Sequence, residues 1–184
     1  KDLVDALGGI NVEVENSFTD NKFPIVGKEN DLCGGDRTYA CRYETLRFAQ
    51  GRQFMDGETA LKFVRSRNAQ GDEGTDLARE KRQQKVISAI KEKVLSKEII
   101  FNPLKLKEIY DIAYSHIETN LDNKSLLILG KLIFESRNNI NFLSIPDEFL
   151  AVSQNDKKYD FQYVFIPKSG VWTELQEWLL LQFQ

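Results

Sequence analysis

The sequence predicts an α/β protein, a three-layer α/β/α sandwich around a central mixed β-sheet in a single domain. Two observations support this fold class. Segments with helical periodicity alternate along the chain with short segments in which apolar and polar residues alternate. The 184 residues, 41% hydrophobic and 29% charged, also have the length and composition of one ordinary globular domain.

The predicted elements are separated by residues that start and stop helices or favour turns. Along the first half they are a helix ending at Gly8-Gly9, a strand over Ile10–Val14, a turn-rich segment over Asn16–Gln53 with a short helix around Arg42–Phe48, a helix over Gly57–Val64 capped by Asp56, and a long helix from Asp76 to Leu95. After Asn102-Pro103 come helices over Leu104–Ala113 and Lys124–Phe134, strands over Asn141–Ile145 and Tyr159–Ile166, and a closing helix over Thr173–Phe183. The apolar residues of the last two helices, Leu126–Phe134 and Leu179–Leu181, are typical of core, with a lipid groove as the alternative.

The long helix is the most informative element, because polar residues occupy part of its core-facing side. At about 100° per residue, its apolar residues fall on one narrow stripe, namely Val86, Ile87, Ile90 and Val94. Asp76, Arg79 and Gln83 take the N-terminal turns of the same stripe, where an ordinary amphipathic helix would carry apolar residues. This pattern predicts a polar pocket next to the core.

Two further arginines, Arg65 and Arg67, precede this helix. Planar guanidinium groups bind phosphate oxygens in pairs, so the four polar residues Arg65, Arg67, Arg79 and Gln83 predict a site for a multiply charged anion. The alternative is that Asp76 and its neighbours only cap the helix and that the arginines are a solvated face. Acids in a first turn suit the helix dipole, whereas Arg79 there does not, which favours the anion site.

Three segments in this order resemble the LytR-CpsA-Psr family of cell-envelope phosphotransferases. They are Leu3–Ile10 with the strand that follows, Gly57–Arg67, and Asp76–Arg79 with Arg82-Gln83-Gln84. Any one of them alone is a weak signal, while the three together are specific and cover residues 1 to 95. The rest of the chain matches the family only in its pattern of elements.

The resemblance implies an enzyme that transfers a glycopolymer from a polyprenyl-pyrophosphate lipid to peptidoglycan outside the cytoplasmic membrane, with a side pyrophosphatase activity when water replaces the acceptor. It implies that Arg65, Arg67, Arg79 and Gln83 contact the pyrophosphate, that Arg79 is also catalytic, and that Asp76 activates the acceptor hydroxyl. Arg82 also matches the family, but its helical angle favours a structural role.

The resemblance also implies a divalent cofactor, Mg²⁺ or Mn²⁺, whose aspartate ligands are expected upstream of Lys1, so no metal ligand is assigned in this chain. The family's membrane anchor is expected outside the chain as well. Residues 1–184 are therefore interpreted as the larger, C-terminal part of one catalytic domain. The segment Asn68–Thr75 is longer than in compact family members, so the alignment with the family is less exact between Arg67 and Arg79.

Composition and cysteine content limit which binding partners and which cellular compartment are expected. A net charge of −3 gives no reason to expect nucleic acid as a partner. The only cysteines, Cys33 and Cys41, flank a Gly34-Gly35-Asp36 turn signal. This spacing, with the oxidising extracytoplasmic compartment that the family implies, predicts a disulfide between them. The alternative is two unrelated thiols in a cytosolic protein.

Two other functions compete with the transferase. One is a non-catalytic module that binds an anionic lipid or glycopolymer, which the presence or absence of the metal-binding aspartates would discriminate. The other is a structural half-domain in which the arginines pair with acids from strands that precede this sequence.

Overall fold

The computed structural model describes residues 1–137, 139, 142–153 and 157–183, which form two compact units, Lys1–Glu135 and Ser136–Gln184. The helices are α1 (Asp2–Ala6), α2 (Gly57–Arg65), α3 (Asp76–Val94), α4 (Lys97–Ile100), α5 (Pro103–His116), α6 (Asn123–Glu135) and α7 (Thr173–Gln182). The strands are β1 (Ile10–Val14), β2 (Phe18–Pro24), β3 (Tyr43–Phe48), β4 (Gly51–Met55), β5 (Leu150–Val152) and β6 (Phe165–Pro167). The predicted α/β class is confirmed.

Within the described residues the strands pair two by two and antiparallel, as β1–β4, β2–β3 and β5–β6. The mixed character of the predicted sheet is not seen in this part of the chain. Ile10, Val12 and Val14 of β1 are buried while Asn11 and Glu13 are exposed, the alternation of an antiparallel sheet with one face packed on a core. Parallel pairing would instead have required strands covered by helices on both faces.

The core of the first unit joins the inner face of β1 to a cluster of three phenylalanines. The ring of Phe48 lies 5.1 Å from that of Phe18 and 5.0 Å from that of Phe63, centroid to centroid. Phe63 comes from α2, whereas Phe18 and Phe48 come from the paired strands β2 and β3. This cluster therefore fixes α2, which carries Arg65 at its end, against the β2–β3 pair.

Helix boundaries are predicted better than strands. The Asp56 side chain accepts a hydrogen bond from the Thr59 amide at 2.8 Å, which makes it the cap of α2. The helix predicted around Arg42–Phe48 is wrong, since Tyr43–Phe48 is strand β3, paired with β2. Of the strand predicted over Asn141–Ile145, Asn141 lies outside the described residues and 142–145 are not a strand. The strand predicted over Tyr159–Ile166 is reduced to Phe165–Pro167.

The interpretation of the α6 and α7 apolar residues as core is also wrong. Leu127 is 74% exposed in α6, and Leu180 is 66% exposed in α7. Of the α6 residues, Leu126, Leu129 and Ile133 line an apolar cavity of about 220 Å³ together with Tyr110 and Tyr114 of α5. Among the described helices, none combines the length and the apolar content needed to cross a bilayer.

Cys33 and Cys41 are joined by a disulfide with a Cα–Cα distance of 5.5 Å, within the loop between β2 and β3. A bridge across so short a segment restricts the unfolded chain and is expected to contribute about 2–3 kcal/mol to the free energy of unfolding. Replacing both cysteines by serine should lower the free energy of unfolding by that amount, measured by urea unfolding as a lower denaturant midpoint. The reduced wild-type protein should unfold like the double variant, and an unchanged midpoint in both would contradict the prediction.

Candidate phosphate-binding site

The segment Arg65-Ser66-Arg67 is held by a buried aspartate on β2. Asp20, whose side chain is fully buried, accepts hydrogen bonds from the Ser66 hydroxyl at 2.7 Å and from the Asn68 amide at 3.2 Å. Ser66 is itself fully buried, so the two arginines on either side of it are turned outward. The position of Arg65 and Arg67 is therefore set by a contact with a residue more than forty positions earlier in the chain.

A second polar anchor fixes the start of α3. The Arg82 guanidinium donates to the Phe63 carbonyl at 3.1 Å, to the Ser66 carbonyl at 2.8 Å and to both the carbonyl and the carboxylate of Glu73, each at 2.8 Å. It also lies 4.8 Å from the centroid of the Phe18 ring. Burial lowers the pKa of Arg82, and the hydrogen bond that it donates to Glu73 opposes that shift. This agrees with the structural role predicted for Arg82 from its helical angle.

These anchors place the α3 stripe differently from the prediction. Arg82, Val86 and Ala89 are the buried residues of the helix, whereas Ile87, predicted to face the core, is 51% exposed. Arg79 lies about 60° and Gln83 about 100° around the helix from Arg82. These two side chains therefore occupy the flank of the buried stripe, next to solvent, and not the stripe itself.

The four side chains predicted to bind pyrophosphate line one pocket of about 480 Å³. Arg65 and Arg67 come from the end of α2, while Arg79 and Gln83 come from the first turns of α3. The remaining lining residues are Phe23, Pro24, Val26, Glu29, Val64 and Asn68. Three guanidiniums and two carboxamides, those of Gln83 and Asn68, thus line a partly apolar cleft, an arrangement suited to an anion with several oxygens.

Asp76 is outside the residues that line this pocket. Its carboxylate lies 2.6 Å from the Arg79 guanidinium, one turn away on the same helix, and its side chain is 60% exposed. In this position it holds Arg79. The predicted role of Asp76 as acceptor of the hydroxyl proton stays a prediction.

The charge balance of the pocket is positive. Within the described residues, neither Arg65 nor Arg67 forms an ion pair, and Arg79 pairs with Asp76. Glu29 is the one carboxylate among the lining residues. One carboxylate beside three guanidiniums is not a donor set that holds Mg²⁺ or Mn²⁺, which prefer several oxygen ligands. The lining residues therefore do not fit the metal implied by the family.

Two residues that matter to this pocket were missed at the level of sequence. Asp20 had a signal, because it alternates with Phe18 at the inward positions of β2, where a carboxylate is unusual. Glu29 had none, because it sits in a turn-rich loop with several other charged residues and no periodicity.

Comparison with known proteins finds a relative over most of the chain. A teichoic acid transferase from Oceanobacillus iheyensis, the polyisoprenyl-teichoic acid–peptidoglycan teichoic acid transferase TagU, is 31% identical over 142 residues, which are 77% of this chain and 36% of that protein. The chain thus spans about a third of the length of this curated relative.

Three solved structures share the fold. TagU of B. subtilis matches with a TM-score of 0.57 at 18% identity, covering 100% of this chain and 60% of that one. TagV of B. subtilis matches with a TM-score of 0.54 at 23% identity, covering 91% and 54% of the two chains. The Lin1025 protein of Listeria innocua matches with a TM-score of 0.52 at 24% identity, covering 98% and 63%. The model of the LytR_cpsA_psr family matches residues 1–177, and the chain belongs to that family.

Proposed function

We propose that this chain carries the donor-phosphate pocket of a transferase that moves a glycopolymer from a polyprenyl-pyrophosphate lipid to peptidoglycan. The observation that supports it is the convergence of Arg65, Arg67 and Arg79 on one pocket with Gln83. Phosphoryl transfer needs charge neutralisation and positioning more than covalent help, and guanidiniums supply both. Membership of the family and the likeness to a teichoic acid transferase support the same substrates.

In this proposal the acceptor hydroxyl attacks the phosphorus on the sugar side of the pyrophosphate, and the lipid monophosphate leaves. Arg65, Arg67 and Arg79 bind non-bridging oxygens, and Gln83 orients one of them through its amide N–H groups. When water takes the place of the hydroxyl, the same pocket gives a slow pyrophosphatase. Mg²⁺ or Mn²⁺ is part of the proposal as a cofactor with ligands outside this chain, and no step above depends on it.

We also place the reaction on the extracytoplasmic face of the cell membrane, with an anchor outside this chain. The disulfide between Cys33 and Cys41 supports that compartment, because such bonds persist where the environment is oxidising.

The pocket is expected to bind geranyl pyrophosphate, a short probe of the donor head group. Arg65→Ala and Arg67→Ala should each weaken this binding by about tenfold to a hundredfold in isothermal titration, because each removes a charge-assisted contact worth about 1.5–3 kcal/mol. Arg52→Ala, which removes an exposed arginine of β4, is the matched control and should bind normally.

Transfer itself is tested with the full-length protein, a synthetic polyprenyl-pyrophosphate-linked disaccharide and isolated peptidoglycan. The expected product is the disaccharide joined to peptidoglycan through a phosphodiester. Binding of the probe without any transfer would favour the non-catalytic module, and absence of both would overturn the proposal.

A further inference from the structure

Glu29 is the carboxylate among the residues that line the pocket together with the three arginines. It belongs with Val26 to the loop between β2 and β3, whereas Arg79 and Gln83 come from α3. Asp76, by contrast, is absent from the lining residues and lies 2.6 Å from the Arg79 guanidinium. Of these two carboxylates, Glu29 is the one that lines the pocket.

The loop holds Glu29 in place by hydrogen bonds of its own backbone. The Gly27 amide donates to the Glu29 carboxylate at 3.1 Å, and a φ of 82° at Gly27 allows the tight turn that this contact needs. Further along, the Arg42 side chain donates to the Asp31 carbonyl at 2.7 Å. Together with the Cys33–Cys41 disulfide, these contacts restrict the loop that carries Glu29.

The negative charge of Glu29 is available to a ligand. In the part of the chain that the structure describes, Glu29 forms no ion pair. Hydrogen bonds from the backbone amides of Glu29 and Gly27 hold the pKa of its carboxyl below the usual value. The group is therefore ionised at neutral pH and has a free lone pair to offer a hydroxyl.

We propose that Glu29 binds the acceptor hydroxyl and takes its proton, while Asp76 only positions Arg79. This inference rests on the proposed function. As the hydroxyl oxygen forms its bond to the sugar-side phosphorus, its proton passes to the Glu29 carboxylate. The bond from that phosphorus to the bridging oxygen breaks, and the lipid phosphate leaves with the electron pair. The proton then passes from Glu29 to the departing phosphate or to water.

The positive and negative groups of the pocket favour different substrates, the donor phosphate and the acceptor hydroxyl. Phosphate oxygens are attracted by the guanidiniums and repelled by Glu29, whereas a neutral hydroxyl is a good hydrogen-bond donor to a carboxylate. A base of modest strength suffices, because the transition state of phosphoryl transfer is loose and its catalysis rests on positioning and charge stabilisation. Position matters more than basicity in such a step.

The test is Glu29→Gln in the full-length protein, which keeps the size and the hydrogen bond from Gly27 but removes the charge. Turnover at saturating disaccharide donor should fall by about a hundredfold or more, while geranyl pyrophosphate binds as well as before or more tightly. Glu118→Gln, an exposed loop residue outside the pocket, is the matched control and should transfer normally. Asp76→Asn should lose less turnover than Glu29→Gln and should weaken probe binding, because Arg79 loses its support.

Three results would overturn the inference. The first is turnover of Glu29→Gln within about threefold of the wild type, and the second is a loss explained by weaker probe binding. The third is the reverse order of effects, in which Asp76→Asn abolishes turnover with unchanged probe binding and Glu29→Gln does not. In each case the wild type transfers, so the proposed function survives. Only a wild-type protein that fails to transfer overturns both.

Discussion

Replacing Arg82 by alanine is expected to lower the free energy of unfolding by about 3–5 kcal/mol, the cost of removing one partner of a buried ion pair. The side chain of Arg82 is 5% exposed and that of its partner Glu73 is 18% exposed. The variant would leave the Glu73 carboxylate and the carbonyls of Phe63 and Ser66 without the donor they share. It would also leave a cavity beside the Phe18 ring.

This loss should appear as a fall in melting temperature of about 10 °C for a chain of this size. Arg82→Lys should recover only part of it, because one ammonium cannot reproduce the fork that reaches three carbonyls and a carboxylate. Arg37→Ala, at an exposed loop position, is the matched control and should melt like the wild type. A fall of less than about 1 kcal/mol in Arg82→Ala would show that the guanidinium is replaceable by water.

Arg82 also explains why the buried face of α3 could be predicted only in part. Arg82 is four residues before Val86, so it continues the buried stripe toward the N-terminus with a charged side chain. A pattern of apolar residues alone shifts the stripe toward Ile87, which is exposed. That Arg65, Arg67, Arg79 and Gln83 line one pocket could be predicted, because their spacing is local and matches a family motif. How deeply each side chain is buried could not be predicted.

Contacts between distant segments were beyond prediction from a single sequence. Leu46 and Phe48 alternate as a strand does, but the partner strand β2 lies before a long loop, and only that pairing makes Tyr43–Phe48 a strand. Asp20 and Ser66 meet in the same way, across 46 positions. Nothing in the local sequence of Arg65-Ser66-Arg67 indicates that a buried carboxylate on another element turns the two arginines outward.

Arg79→Ala should nearly abolish transfer while leaving the fold intact. Its side chain is 23% exposed and lines the pocket beside Gln83, whereas the residues that hold α3 to the core are Arg82, Val86 and Ala89. The expected cost is therefore in the transition state, roughly 3 kcal/mol or more of barrier by comparison with the removal of one preorganised donor to a developing anion. The free energy of unfolding should change by less than about 1 kcal/mol, the value of an exposed ion pair with Asp76.

Two further variants complete this test, one that separates charge from geometry at position 79 and one matched control. Arg79→Lys should recover only a fraction of transfer, because an ammonium keeps the charge but loses the paired contact with phosphate oxygens. Lys81→Ala removes a cation on the exposed side of the same helix and should change neither transfer nor melting. Transfer from the lipid-linked disaccharide to peptidoglycan is measured beside a melting curve for each protein. If Arg79→Ala transfers at a normal rate, Arg79 does not stabilise the transition state; if it loses transfer and melts far below the wild type, its role is in the fold. The expected combination, transfer lost and melting preserved, follows from the place of Arg79 on the flank of the buried stripe, where it reaches the pocket without supporting the core.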